Sequence, residues 1–150
     1  MLKVLKAIFN RKDIGSVMVY YESFEKNILK SLANYSPEDE DWIFKVLAKI
    51  IDLYEPFGSF FYYNPKQGGS ASLKNILPAL TGLRYDEMEI NNGQAASLQY
   101  LRLTFLKEED LAYETKQTIR SDLLAYCALD TEGMIHILKK LYDIPAHRKQ

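Results

Sequence analysis

Two short apolar runs, Val17–Tyr21 and Ile50–Leu53, stand apart with two helical patterns between them. The first is rich in β-branched and aromatic side chains, which suit a buried strand. The order strand, helix, helix, strand suggests a parallel pair in an α/β sheet. A parallel pair is normally buried on both faces within a larger sheet. Residues 1–16 offer no earlier strand, so the edge of Val17–Tyr21 is expected to be open. The chain reads as though the front of its sheet were missing.

The remaining pattern is mostly helical. Leu2, Leu5, Ile8 and Phe9 have helical spacing over residues 2–11, and Gly15 breaks it. Residues 23–34 form the next helix. Ser36-Pro37-Glu38 reads as a helix start, with Ser36 as N-cap and Pro37 in the first turn. That helix should run through Trp42 to about Ala48. Phe57–Gly69 is aromatic and turn-rich and is expected to be a loop or irregular hairpin. Ser70 or Ser72 should cap a helix through Leu73, Ile76 and Leu77, with Pro78 disturbing its last turns. Asn92-Gly93 reads as a turn. Gly93–Phe105 and Thr115–Tyr142 read as helices, the second bent near Gly133. There are no internal repeats or linkers.

The length of 150 residues fits a single domain with a real core, and 47% apolar residues fits a globular one. A net charge of −1 gives no global basic field that would announce nucleic acid. Residues 1–30 nevertheless carry Lys3, Lys6, Arg11, Lys12, Lys26 and Lys30 against three acids. The acids gather at Glu38-Asp39-Glu40-Asp41 and Glu108-Glu109-Asp110, as solvated faces or helix N-termini do. The single cysteine, Cys127, falls on an apolar stripe and reads as a small buried hydrophobe. No apolar run reaches the roughly 18 residues of a membrane span, and the N-terminus lacks a signal-peptide core. The expected location is the cytoplasm.

Two acids interrupt apolar helix faces. Leu123, Cys127, Met134, Ile137, Leu138 and Leu141 form a stripe, and Asp130 falls about 20° from Leu123 inside it. Tyr126 lies one turn earlier at its edge. Glu25 sits near the centre of the face made by Phe24, Ile28, Leu29 and Leu32. A buried carboxylate needs a partner or a metal. Glu25 also suits the dipole of a helix N-terminus, and a cross-core lysine or arginine would equally satisfy Asp130. Lys74, following the Gly68-Gly69 turn, could approach phosphate or stand in solvent.

The ensemble resembles a known superfamily. A hydrophobic strand runs into Phe24-Glu25. A second strand ends Ile51-Asp52-Leu53. Ser72-Leu73-Lys74 and Leu77-Pro78-Ala79-Leu80 follow, and then the helix bearing Tyr126-Cys127 and Asp130-Thr131. From about Gly15 to Tyr142 this order resembles the DEDD exonucleases of the proofreading type, on the ribonuclease H-like fold. It is most similar to a bacterial branch with Phe-Glu in its second motif and Tyr-Cys-x-x-Asp-Thr in its third. The resemblance implies that Glu25 is the second-motif acid, usually Asp, and that Asp130 is the third-motif metal ligand. Tyr126 takes the place of the tyrosine that orients the attacking water. Asp52 matches an acid that is more often structural than catalytic. Tyr21 stands where relatives usually place a small polar residue, often Asn. Tyr-x-x-x-Asp alone is not specific, since Tyr35–Asp39 repeats it in a helix–helix turn.

In such enzymes two divalent ions on four carboxylates generate hydroxide and stabilise the leaving oxygen of a phosphodiester. Hard oxygen ligands imply Mg²⁺ or Mn²⁺. The implied substrate is a single strand or 3′ end of DNA or RNA. The family's first motif, Asp-x-Glu on an early strand, does not occur in residues 1–16. Asp86-Glu87-Met88-Glu89 lies in the wrong order to replace it. The chain is therefore expected to be the rear part of an exonuclease-like domain, with Glu25 and Asp130 alone of its four carboxylates. Such a piece should be inactive by itself. The competing expectation is a non-catalytic interaction module that self-associates or pairs its open sheet edge with a partner. His136 and His147 are too few for a zinc site. Gly68-Gly69 lacks the spacing of a P-loop. Asn34-Tyr35-Ser36 matches a glycosylation sequon that a cytoplasmic chain would not use.

Overall fold

The computed structural model describes residues 2–9, 15–106 and 111–144. Residues 10 and 11 of the expected first helix, Lys12, the cluster Glu108-Glu109-Asp110 and His147 lie outside the described residues. The chain divides into two compact units, Met1–Tyr63 and Asn64–Gln150.

The first unit is built on the expected strand pair. β1 (Val17–Val19) and β2 (Ile50–Asp52) are parallel, with Val17 opposite Ile50, Met18 opposite Ile51 and Val19 opposite Asp52. The Val17 amide donates to the Lys49 carbonyl at 2.8 Å, and the Leu53 amide to Val19 at 2.9 Å. Side chains alternate across a sheet. Val17, Val19, Ile50 and Asp52 are accordingly half-buried, while Met18 and Ile51 are 37% and 50% exposed. One face of the pair is thus open, as a parallel sheet rarely is.

Helix α1 (Leu2–Phe9) precedes β1. Its Phe9 ring lies 6.2 Å from the Trp42 ring, and Lys6 stands 5.9 Å over that same ring. α2 (Glu22–Tyr35) and α3 (Glu40–Leu47) connect the strands and pack on one another. Between them Pro37–Asp39 makes one 3₁₀ turn with Pro37 at its first position. Ser36 caps no backbone amide; its hydroxyl is shared between the carboxylates of Glu38 at 2.8 Å and Asp39 at 3.0 Å. The acidic run opens this turn and α3, at helix N-termini as read, and Asp39 is its one member that leaves solvent. It is buried and pairs with Lys6, whereas Glu38, Glu40 and Asp41 are exposed. A short helix, α4 (Glu55–Gly58), occupies part of the expected aromatic loop and buries Phe57, whose ring meets Tyr62 edge-on at 5.8 Å.

The second unit is helical. Asn64 and Gln67 form a reciprocal capping box around the 3₁₀ turn Pro65–Gln67. The buried Gln67 accepts from the Asn64 amide at 3.0 Å, and Asn64 donates to the Ala79 carbonyl at 3.1 Å. α5 (Leu73–Thr81) contains Pro78 and ends at Gly82, whose φ of 82° needs no Cβ. Ser72 precedes α5 without capping it; its hydroxyl donates to Asn75 at 2.6 Å. Asn92 is a helix cap rather than half of a turn, because its side chain accepts from the Ala95 amide at 2.8 Å. α6 (Gly93–Phe105) has the bounds read from sequence, and α7 (Tyr113–Tyr142) starts two residues early.

α7 packs on both α5 and α6. Its contact line runs through Ile119, Tyr126, Asp130, Gly133 and Ile137, one or two turns apart. Gly133 is there for space: a Cβ on it would lie 2.9 Å from a methyl of the fully buried Leu77. Among the described residues no helix is long and apolar enough to cross a membrane.

Candidate functional site

Asp130 lies on the line along which α7 meets its neighbours, half-buried, with Tyr126 one turn before it. Their partner comes from the loop between α5 and α6. Tyr85 is 3% exposed and its hydroxyl donates to Asp130 Oδ1 at 2.7 Å. The Tyr85 and Tyr126 rings are 6.0 Å apart, tilted by 54°. A Cβ on Gly93 would lie 3.9 Å from the Tyr126 hydroxyl, so that hydroxyl stands by the start of α6. Among the described residues, the group that satisfies Asp130 is a phenol, not the lysine or arginine of a cross-core ion pair.

Burial pushes the Tyr85 phenol far above its ordinary value, and its hydrogen bond to Asp130 adds to the shift. The Tyr126 phenol is raised as well, by burial first and then by the Asp130 charge. Both phenols therefore keep their protons through neutral pH, and Tyr85 is the donor to the carboxylate. Lys74 joins the group from the first turn of α5. Its ammonium donates to the Asn91 carbonyl and sits 5.8 Å over the Tyr85 ring. Lys74, Tyr85, Asp130 and Tyr126 thus form one connected cluster of a cation, two hydroxyls and a carboxylate.

Tyr85 was invisible in the sequence. It lies in an irregular stretch where no periodicity points inward, and only its aromatic character within a polar run distinguished it. Cys127 is corrected in the opposite sense. It is exposed, because the contact line of α7 passes through Tyr126 and Asp130 and leaves the next residue outside.

In the first unit, Asp52 does structural work. Its Oδ1 accepts from the amides of Tyr21 at 2.8 Å and Tyr54 at 2.9 Å, and its Oδ2 accepts from Glu22 at 2.9 Å. One carboxylate thereby closes the end of β2 and caps α2, which has no side-chain cap of its own. Tyr21, the residue just before α2, has φ 70° and ψ 71°. That left-handed conformation favours Gly or Asn. The Tyr21 ring meets Tyr54 edge-on at 5.4 Å.

Glu25 lies in the first turn of α2 and is exposed. The sequence suggested a buried carboxylate on an apolar face, but that face is outward: Phe24 and Ile28 are 63% and 44% exposed. α2 buries Ala33 instead, with Leu29 and Leu32 half-covered. No burial penalty then obliges Glu25 to find a partner.

Among the described residues no three His, Cys, Asp or Glu side chains stand together as a cation-binding group. Asp130 is surrounded by hydroxyls, and Asp52 has its oxygens committed to amides. Among the described residues neither unit by itself supplies the carboxylate set of a two-ion centre. His136 approaches Glu132 at 3.5 Å, one turn earlier on α7.

A family model described as a domain of unknown function, DUF2779, matches residues 1–72. No curated protein and no solved structure matches the chain.

Proposed function

We propose that the chain carries the second and third acidic motifs of a metal-dependent 3′–5′ exonuclease-like domain of the DEDD type, on a ribonuclease H-like fold. The observation that carries this reading is the Tyr126–Asp130 pair. One turn apart on α7, a half-buried carboxylate and a protonated phenol face the same interior, with Tyr85 holding the carboxylate. The strand order supports it, since a parallel pair leads into Glu25 and Asp52 in the family's sequence. In this reading Asp130 and Glu25 are metal ligands, Tyr126 positions water, and Asp52 holds the scaffold. The ions of a complete domain would be Mg²⁺ or Mn²⁺, and the substrate a strand of DNA or RNA. By resemblance only Glu25 and Asp130 answer to the family's four carboxylates, so these 150 residues alone are expected to leave phosphodiesters intact.

The test is digestion of an end-labelled single strand with Mg²⁺ or Mn²⁺. It compares this chain with the longest in-frame form that contains it and bears an Asp-x-Glu strand. The longer form should shorten the strand from its 3′ end, and Asp130→Ala should abolish that. Full activity of Asp130→Ala would overturn the assignment.

The exposed sheet face favours a second reading. Met18 and Ile51 are register partners and both face outward, as at a surface that another copy of this chain covers. Sedimentation at micromolar concentration distinguishes a homo-oligomer from a monomer.

A further inference from the structure

Beside the Asp130 cluster the second unit has an open polar cleft of about 510 Å³. Lys66, Lys74 and Arg84 line it, with Asp86 as the opposing charge. Arg84 and Asp86 meet at 3.8 Å with side chains 67% and 80% exposed. Such an exposed pair is weak, so Arg84 exchanges it readily for a better anion. Neither lysine has a carboxylate partner in the cleft lining.

Lys74 is held at its ammonium and Lys66 through its backbone. The amide of Lys66 donates to Asn64 at 3.0 Å within the capping box, which fixes its backbone on the cleft wall. Lys74 is steadied by the Asn91 carbonyl and by the face of Tyr85. Preorganised cations bind an anion with less ordering cost. The cleft volume is within the range of sites for small ligands. It offers no stacking surface, however: Tyr85, its aromatic lining residue, is 3% exposed. A ligand there is recognised by its charge and not by a flat ring.

We infer that this cleft binds the phosphate groups of a single-stranded nucleic acid, gripping backbone rather than base. That the polymer is a nucleic acid rests on the exonuclease-like reading; that the ligand is a phosphate anion rests on the cleft. Sequence-independent binding with strong salt dependence follows, since each released counterion steepens the dependence.

The experiment is fluorescence anisotropy of a labelled oligothymidylate with the whole chain, in EDTA so that no metal takes part. Lys66→Gln, Lys74→Gln and Arg84→Gln should each weaken binding about 3–10-fold and flatten the slope of log K against log salt by about 0.7. Lys139→Gln on α7 should bind as the parent does. All three cleft side chains are exposed, and thermal melting verifies that the variants fold. Absence of binding by the parent, or variants that bind like it, would overturn the proposal. Binding of inorganic phosphate or pyrophosphate together with no binding of the strand would reduce the cleft to a small-anion site and overturn the nucleic-acid assignment. Strand binding in EDTA that is lost in the variants, together with no cleavage by any longer form, would leave the cleft standing and remove the exonuclease reading.

Discussion

The hydroxyl of Tyr85 donates to Oδ1 of Asp130 at 2.7 Å, across 45 residues of sequence. This bond ties the α5–α6 loop to the middle of α7. Hydrogen bonds to charged groups contribute about 1.5–3 kcal/mol, and half-burial of the carboxylate places this one at the lower end. Tyr85→Phe should therefore destabilise the fold by about 1–2 kcal/mol in urea unfolding. An unchanged midpoint would mean that water replaces the phenol at no cost.

The raised tyrosines set an alkaline limit. Tyr20 is pushed up by burial and then by Asp52, and Tyr85 and Tyr126 by burial and Asp130. A folded-state value above the unfolded one means that the stabilisation is fully present below the ordinary phenol value of 10.0 and is lost as pH rises beyond it. The melting temperature should stay level from pH 7 to about 9 and fall above about 10. Tyrosinate absorbance should show a late fraction that appears together with unfolding. A single titration of all tyrosines near their ordinary value would refute this.

Asp39 sets the limit on the acid side. Its hydrogen bond to Lys6 is the main cause that holds its carboxyl below the ordinary 3.8. A depressed value means stability present above 3.8 and lost as pH falls through the folded value. Lys6→Ala should move the acid unfolding midpoint to higher pH. Equal acid midpoints for parent and variant would dissociate Lys6 from Asp39.

Asp52 and Tyr21 form a coupled pair at the start of α2. Removing a carboxylate that accepts from three amides, as in Asp52→Ala, should cost about 2–3 kcal/mol, more than loss of an ordinary cap. At Tyr21 the left-handed backbone costs roughly 1–2 kcal/mol for an ordinary residue, while the contact with Tyr54 returns about 0.5–1.5 kcal/mol. Tyr21→Asn should thus stay within about 1 kcal/mol of the parent. Tyr21→Val should lose clearly more, because a β-branched residue resists that backbone and has no ring. Equal stability of Asn and Val variants would contradict the account.

The crossing of α5 and α7 leaves no space at Gly133. Gly133→Val should destabilise by about 1–3 kcal/mol through overpacking against Leu77. The companion change Leu77→Ala should recover part of the loss. No recovery would place the strain elsewhere.

What was legible in the sequence was what has a period. Val17–Val19 with Ile50–Asp52, and Gly93–Phe105, follow from local pattern and appear where expected. Long-range satisfaction was not legible. Asp52 looked like a strand-end acid, and only the fold shows the Tyr21, Glu22 and Tyr54 amides converging on it. Asp130 needed a partner on physical grounds, but Tyr85 lies in a loop without pattern. Glu25 and Cys127 fail for a shared reason. Periodicity identifies an apolar face and does not say which apolar face the tertiary structure covers. In α2 and α7 the covered line is displaced from the stripe read off the sequence.

The exposure of Cys127 has a practical sequel. A chain with one thiol, outside and adjacent to Tyr126, already possesses a single attachment point for a fluorophore or spin label beside the candidate site. The same exposed thiol can be oxidised by air to a disulfide between two copies. Any apparent dimer has to survive reductant before the open sheet face is held responsible for it.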